Sequence, residues 1–107
     1  MVLKKKDGSL ILVNIAADKK IDFKALESFV DGRLSLASKE GVLKATRCES
    51  GSVPPFGKLF GLPTFLDSSV LENAFVNFNI GLLTQSVRIS REDLVRLMEP
   101  TIVKFSK

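Results

Sequence analysis

The segment Gly51-Ser-Val-Pro-Pro-Phe-Gly57 stands at the middle of this 107-residue chain and denies it any architecture built on long elements. Two adjacent prolines remove two backbone donors, and the bounding glycines permit unusual dihedrals, so the segment is neither a helix nor a central strand. The apolar runs on either side are short and end at turn residues. Leu10-Ile-Leu-Val-Asn-Ile15 reads as a strand entered through the turn signal Asp7-Gly8-Ser9, with Val2 and Leu3 as the remnant of a hairpin partner. Asp22 offers an N-cap oxygen to a helix carrying Phe23, Leu26, Phe29 and Val30, and Gly32 stands where that helix would stop. Leu34 to Leu36 alternates like a short strand, and Ser38 opens a second short helix through Leu43.

Beyond the proline segment the same grammar continues. Pro63 to Leu66 reads as a strand, and Asp67-Ser-Ser69 reads as the cap of one helical turn. Phe75–Asn79 and Ser86–Ile89 alternate apolar and polar residues around Gly81. Ser90-Arg-Glu-Asp93 resembles a capping box, Leu94, Leu97 and Met98 supply the stripe of a last helix, Pro100 ends it, and Thr101–Phe105 completes a strand. Strands and helices mix without βαβ alternation, so the expected class is α+β, in a single domain over residues 1–107.

Composition narrows the chemistry. The chain has no histidine, which excludes Ser-His-Asp and Cys-His nucleophilic sites, His-ligated metals and a His general base. The single cysteine, Cys48, can form neither an internal disulfide nor a Cys-cluster metal site, and with no histidine beside it reads as a small packed thiol. No apolar run approaches the ~20 residues of a membrane span, and Met-Val-Leu-Lys-Lys-Lys lacks a signal peptide's apolar core, so a cytoplasmic location is expected. The net charge of +4 is one-sided: residues 1–58 carry 11 basic and 7 acidic side chains, residues 59–107 five of each. That skew suits a phosphate-bearing partner, and it equally suits solvated turn lysines at Lys4–Lys6 and Lys19–Lys20. The aromatic residues do not interleave with the basic ones, so the sequence offers no nucleobase-stacking platform.

Two features could hold a substrate. A turn stiffened by Pro54 and Pro55 can aim the amides of Gly51, Ser52 and Val53 at one point, where they would hold a carbonyl, an oxyanion or a phosphate; the plainer alternative is a tight structural turn. Asp67, after Phe65 and Leu66, could be a general base, and N-capping before Ser68-Ser69 is the commoner role for such a residue.

The order of these pieces carries a resemblance. Leu10–Ile15, Ile21-Asp-Phe-Lys-Ala-Leu26, Gly51-Ser-Val-Pro-Pro-Phe-Gly57, Thr64-Phe-Leu-Asp-Ser-Ser-Val70, then Gly81 with Ser86-Val-Arg-Ile-Ser-Arg-Glu-Asp-Leu94, resembles the YbaK/prolyl-tRNA-synthetase-associated domain family over about Leu10 to Leu97. The resemblance implies a mixed, barrel-like β-sheet with flanking short helices, and an editing deacylase acting in trans. Such an enzyme cleaves the ester between a wrong amino acid and the 3′-terminal adenosine of a tRNA, most often proline tRNA. It implies a substrate wall formed by Gly51, Ser52, Val53, Pro54 and Pro55, with Asp67 as structural neighbour, and no metal or cofactor. The implied partners are the aminoacylated tRNA 3′ end and a tRNA synthetase, with no membrane. Three positions depart from the pattern. The family's catalytic lysine, on an early strand, falls at or before Met1, so no catalytic residue is assigned; the helix preceding that strand is missing; and Arg47 stands where a glycine is usual. The departures keep two other readings open, a non-catalytic domain that binds tRNA or a synthetase, and a small protein-interaction domain.

Overall fold

A computed structural model describes residues 1–48, 53–79 and 86–107. Its first hairpin follows from Asp7-Gly8-Ser9. The Asp7 carboxylate accepts from the Ser9 amide at 2.9 Å, and Gly8 takes a φ of +91° that only glycine adopts freely. The turn joins β1 (Val2–Lys5) to β2 (Leu10–Asn14) in antiparallel register, Val2 opposite Leu12 and Lys4 opposite Leu10.

Side chains alternate across these strands, so both faces of β1 and β2 are buried by different partners. Leu3, Ile11 and Val13 pack with Ile21, Leu26 and Phe105 on one side; Val2 and Leu12 pack with Val42 on the other. The near-continuous apolar run of β2 is therefore the sequence of a strand covered twice. Helix α1 (Phe23–Val30) covers the first face through Leu26, capped by Asp22, whose Oδ1 accepts from the Ala25 amide at 3.2 Å. Phe23 and Phe29, on the expected stripe, remain exposed. Strand β3 (Leu34–Leu36) returns to pair antiparallel with β1. Helix α2 (Lys39–Thr46), capped by Ser38, covers the second face through Val42 and runs three residues beyond the expected Leu43.

A 3₁₀ turn at Gly57–Phe60 leads into β4 (Thr64–Asp67), which lies parallel to β2, with Asn14 opposite Leu66. A second 3₁₀ turn, Ser68–Glu72, precedes the antiparallel pair β5 (Phe75–Asn79) and β6 (Ser86–Ser90). Helix α3 (Arg91–Met98) starts at Ser90, whose hydroxyl accepts from the Asp93 amide at 3.2 Å; the Asp93 carboxylate turns to Arg96. Leu94 and Met98 of α3 are buried with Leu66 and Val70, while Leu97 is exposed. Strand β7 (Thr101–Val103) closes the order β3-β1-β2-β4-β7, a five-stranded mixed sheet that does not close on itself, beside the two-stranded β5-β6 ribbon.

The class expected from the sequence, α+β, is the class observed, and the barrel-like sheet is an open one. One detail differs. Each helix ends on a non-glycine residue in the left-handed region, Asp31 at φ 57°, Arg47 at 59° and Glu99 at 49°. Gly32, expected to stop α1, is one residue past the stop, and its amide donates to the Glu27 carbonyl at 3.3 Å.

Candidate functional site

The parallel pairing of β2 with β4 brings the carboxyl ends of two strands to one place. There the chain leaves the sheet twice, through Ile15–Asp18 after β2 and through the 3₁₀ turn after β4. A cleft of about 530 Å³ opens between these exits, a size suited to a small ligand. Its interior is apolar, from Ile15, Leu66, Val70 and Leu94, and β5 forms the far wall through Phe75, Val76, Asn77 and Phe78. Asp18, Asn73, Phe75 and Asn77 are exposed and sit at the rim, so most of the polarity of the cleft is at its mouth.

The proline segment supplies one wall. Pro55 is buried and lines the cleft, and the neighbouring Phe56 ring meets Phe78 edge to face, centroids 5.2 Å apart at 89°. That aromatic contact ties the segment to β5 and holds Pro55 in position. Val53 serves the opposite side, packing against the cluster of Val2, Leu12 and Val42. Pro54 is half-buried between them. Gly51 and Ser52 lie outside the described residues.

Asp67 is fully buried and faces away from the cleft lining. Its Oδ1 accepts from the amides of Phe105 at 2.6 Å and Ser106 at 2.9 Å, and its Oδ2 accepts from the Ser69 amide at 3.0 Å. Burial by itself would raise this carboxyl, but the hydrogen bonds from Ser69, Phe105 and Ser106 outweigh it and hold it below the ordinary aspartate range. With its oxygens taken by three donors, Asp67 caps one turn and anchors the chain after β7. Its neighbour Leu66 is the residue that reaches the cleft.

Lys4 and Lys5 stand at the hairpin end of β1, with Lys4 opposite Leu10. Asn14 ends β2 at the cleft, about 13 Å along the strand at the usual rise. Arg47 is exposed and in the left-handed conformation a glycine would favour, which makes it a replaced turn residue. Cys48 is half-buried, its Sγ donating to the Thr46 carbonyl at 3.4 Å.

Two groups at the cleft were not singled out by the sequence. The Arg88 guanidinium lies 4.4 Å from the centroid of the exposed Phe75 ring at the rim, a cation–π pair assembled across β5 and β6. Asn14 is the other: its Nδ2 is shut off from solvent and has no hydrogen-bond partner among the described residues. The one signal in the sequence was a single polar residue within the apolar run Leu10–Ile15.

An open mixed sheet with this end cleft is shared with known proteins. Residues 1–97 match the model of the aminoacyl-tRNA editing domain family, and the chain belongs to that family. It is similar to the multifunctional Ser/Thr-tRNA deacylase ProXp-y of Escherichia coli strain K12, 34% identical over 99 residues. The alignment covers 91% of this chain and 59% of that protein, so the chain spans little more than half of its curated relative. Among solved structures, a candidate trans-editing enzyme for prolyl tRNA synthetase superposes with a TM-score of 0.91 at 24% identity, covering 100% of this chain and 68% of the other. The hypothetical protein APE2540 superposes with a TM-score of 0.89 at 20% identity, covering 100% and 71%. Both likenesses are of fold. Among the described residues, no helix is long and apolar enough to cross a membrane.

Proposed function

We propose that this chain hydrolyses the ester of a mischarged aminoacyl-tRNA in trans, on tRNAs of the proline set, with the β2/β4 cleft as the aminoacyl pocket. The observation that carries the reading is that cleft, with Pro55 in its wall, in a chain whose residues 1–97 match an editing domain. A volume of about 530 Å³ suits a terminal nucleoside with a small amino acid, and the apolar interior excludes larger side chains by size. At the rim, the exposed Phe75 ring and Arg88 offer a face for the terminal base and a charge for the nearby phosphate. An aminoacyl ester is already activated. Without an imidazole in the chain, orienting a water and holding the developing oxyanion with fixed amides is the available chemistry, together with the hydroxyl of the tRNA itself. The amides of the proline segment are the proposed donors, with Gly51 and Ser52 among them.

The test is loss of aminoacyl label from proline tRNA mischarged with Ser, Thr, Ala or Cys. Faster loss than in buffer for at least one is expected, and no acceleration for any would overturn the deacylase reading. A second reading, binding of the aminoacylated end without hydrolysis, is favoured by the placement of Lys4 and Lys5 at the hairpin end of β1, away from the cleft. Salt-dependent tRNA retention without deacylation would select it.

A further inference from the structure

Asn14 poses a problem that the fold alone does not answer. Its backbone completes β2, in register with Leu66 of β4, so its position is set by the sheet. Its Nδ2 is a buried donor with no partner among the described residues, in a cleft whose interior is otherwise apolar. A donor left in this state is costly, because it lost its water and gained nothing in return. A strand residue such as Val or Ile would fill the same site at no such cost.

The other polar lining side chains, Asp18, Asn73 and Asn77, are exposed at the mouth and are satisfied by solvent. A ligand that enters through the mouth with its nucleoside outward presents its amino-acid side chain to the interior, where Asn14 is the buried donor. An apolar pocket separates a hydroxyl from a methyl poorly, whereas a site that hydrogen-bonds the hydroxyl separates them well, since the wrong ligand leaves the site's own group unpaired.

We infer that Asn14 is the specificity-determining residue of the cleft, donating from Nδ2 to the side-chain hydroxyl of a seryl or threonyl group and so selecting hydroxylated amino acids over apolar ones of the same size. The inference rests on the reading of the cleft as an aminoacyl pocket, and its test is one of binding, separate from hydrolysis.

The probes are non-hydrolysable 3′-amide analogues of aminoacyl-adenosine in two matched pairs, seryl with alanyl and threonyl with valyl, titrated calorimetrically against the full chain. The wild type is expected to prefer the hydroxylated member of each pair by on the order of tenfold. Asn14→Leu, which keeps the shape and removes the donor, is expected to abolish the preference and leave alanyl and valyl affinities unchanged. Because Asn14 Nδ2 is unpaired, Asn14→Leu is expected to melt no lower than the wild type, which guards against a folding artefact; Asn14→Val is the second variant should Leu crowd the site. Equal affinity within both pairs for the wild type would overturn the inference and leave a bound water as the partner of Nδ2. A preference that survives both variants would overturn it too, as would failure to bind any analogue. A preference lost in the variants, with no hydrolysis of any mischarged tRNA, would sustain the inference and remove only the catalytic reading.

Discussion

Arg47 shows how a single residue can stand against the local rule of its position. It ends α2 at φ 59°, where a side chain crowds the backbone and glycine does not. Its guanidinium is exposed, so no packing is lost with it. Arg47→Gly is expected to stabilise the fold by about 1 kcal/mol, seen as a rise in Tm of roughly 4–8 °C by calorimetry. Unchanged or lower stability would mean that the turn is held by something other than its backbone. The sequence made this position visible, since glycine is usual there in the family it resembles. It could not say that Asp31 and Glu99 adopt the same conformation, because an αL cap is written into helix geometry and only loosely into residue type.

Among the elements, the 3₁₀ turn that follows the proline segment sets where Pro55 stands. Gly57 is buried there for lack of space: a Cβ on it would stand 2.6 Å from the Leu62 carbonyl and collide with the Thr64 side chain. The Leu62 amide in turn donates to the Gly57 carbonyl at 2.9 Å, so backbone is packed against backbone and no rotamer change relieves the clash. Gly57→Ala is expected to cost about 2 kcal/mol in urea unfolding, and to weaken ligand binding at the cleft by shifting Pro55. A variant as stable as the wild type would show that the turn yields easily. At this scale most of the strand and helix positions were legible, because caps such as Asp22, Ser38, Asp67 and Ser90 and the punctuating glycines and prolines are local signals. The extents were less so. The stripe Phe23, Leu26, Phe29, Val30 promised a broad buried face, yet only Leu26 is fully buried, since the depth of the contact is set by the sheet beneath it.

At the scale of the whole molecule, Asp67 joins chain segments 38 residues apart through its bonds to Phe105 and Ser106. Asp67→Asn replaces one accepting oxygen with a donor and leaves a buried amide facing it, at an expected cost of about 3 kcal/mol by chemical denaturation. The pH dependence follows from the depressed carboxyl. Its contribution is complete above the ordinary aspartate pKa of about 3.9 and is lost as pH falls through the lower folded value. The stability gap between wild type and Asp67→Asn should therefore narrow in acid; a gap that stays constant would show the carboxylate to be bonded no better folded than unfolded.

The sequence by itself determined the class of the fold, the limits on its chemistry and the proline segment as a wall for a ligand. These follow from local preferences and from residues that are absent. The open sheet, the parallel seating of β2 on β4 and the cleft at their ends were decided by tertiary structure. So was the pairing of Phe75 with Arg88, 13 positions apart and not interleaved in the sequence. Asn14 is the sharpest case. In the sequence it is one polar residue in an apolar run, and only the packing of β4, β5 and Pro55 around it turns its amide into an unpaired donor inside a pocket. Solvent access to a side chain is a property of everything that covers it, and what covers Asn14 comes from residues 41 to 80 positions further along the chain.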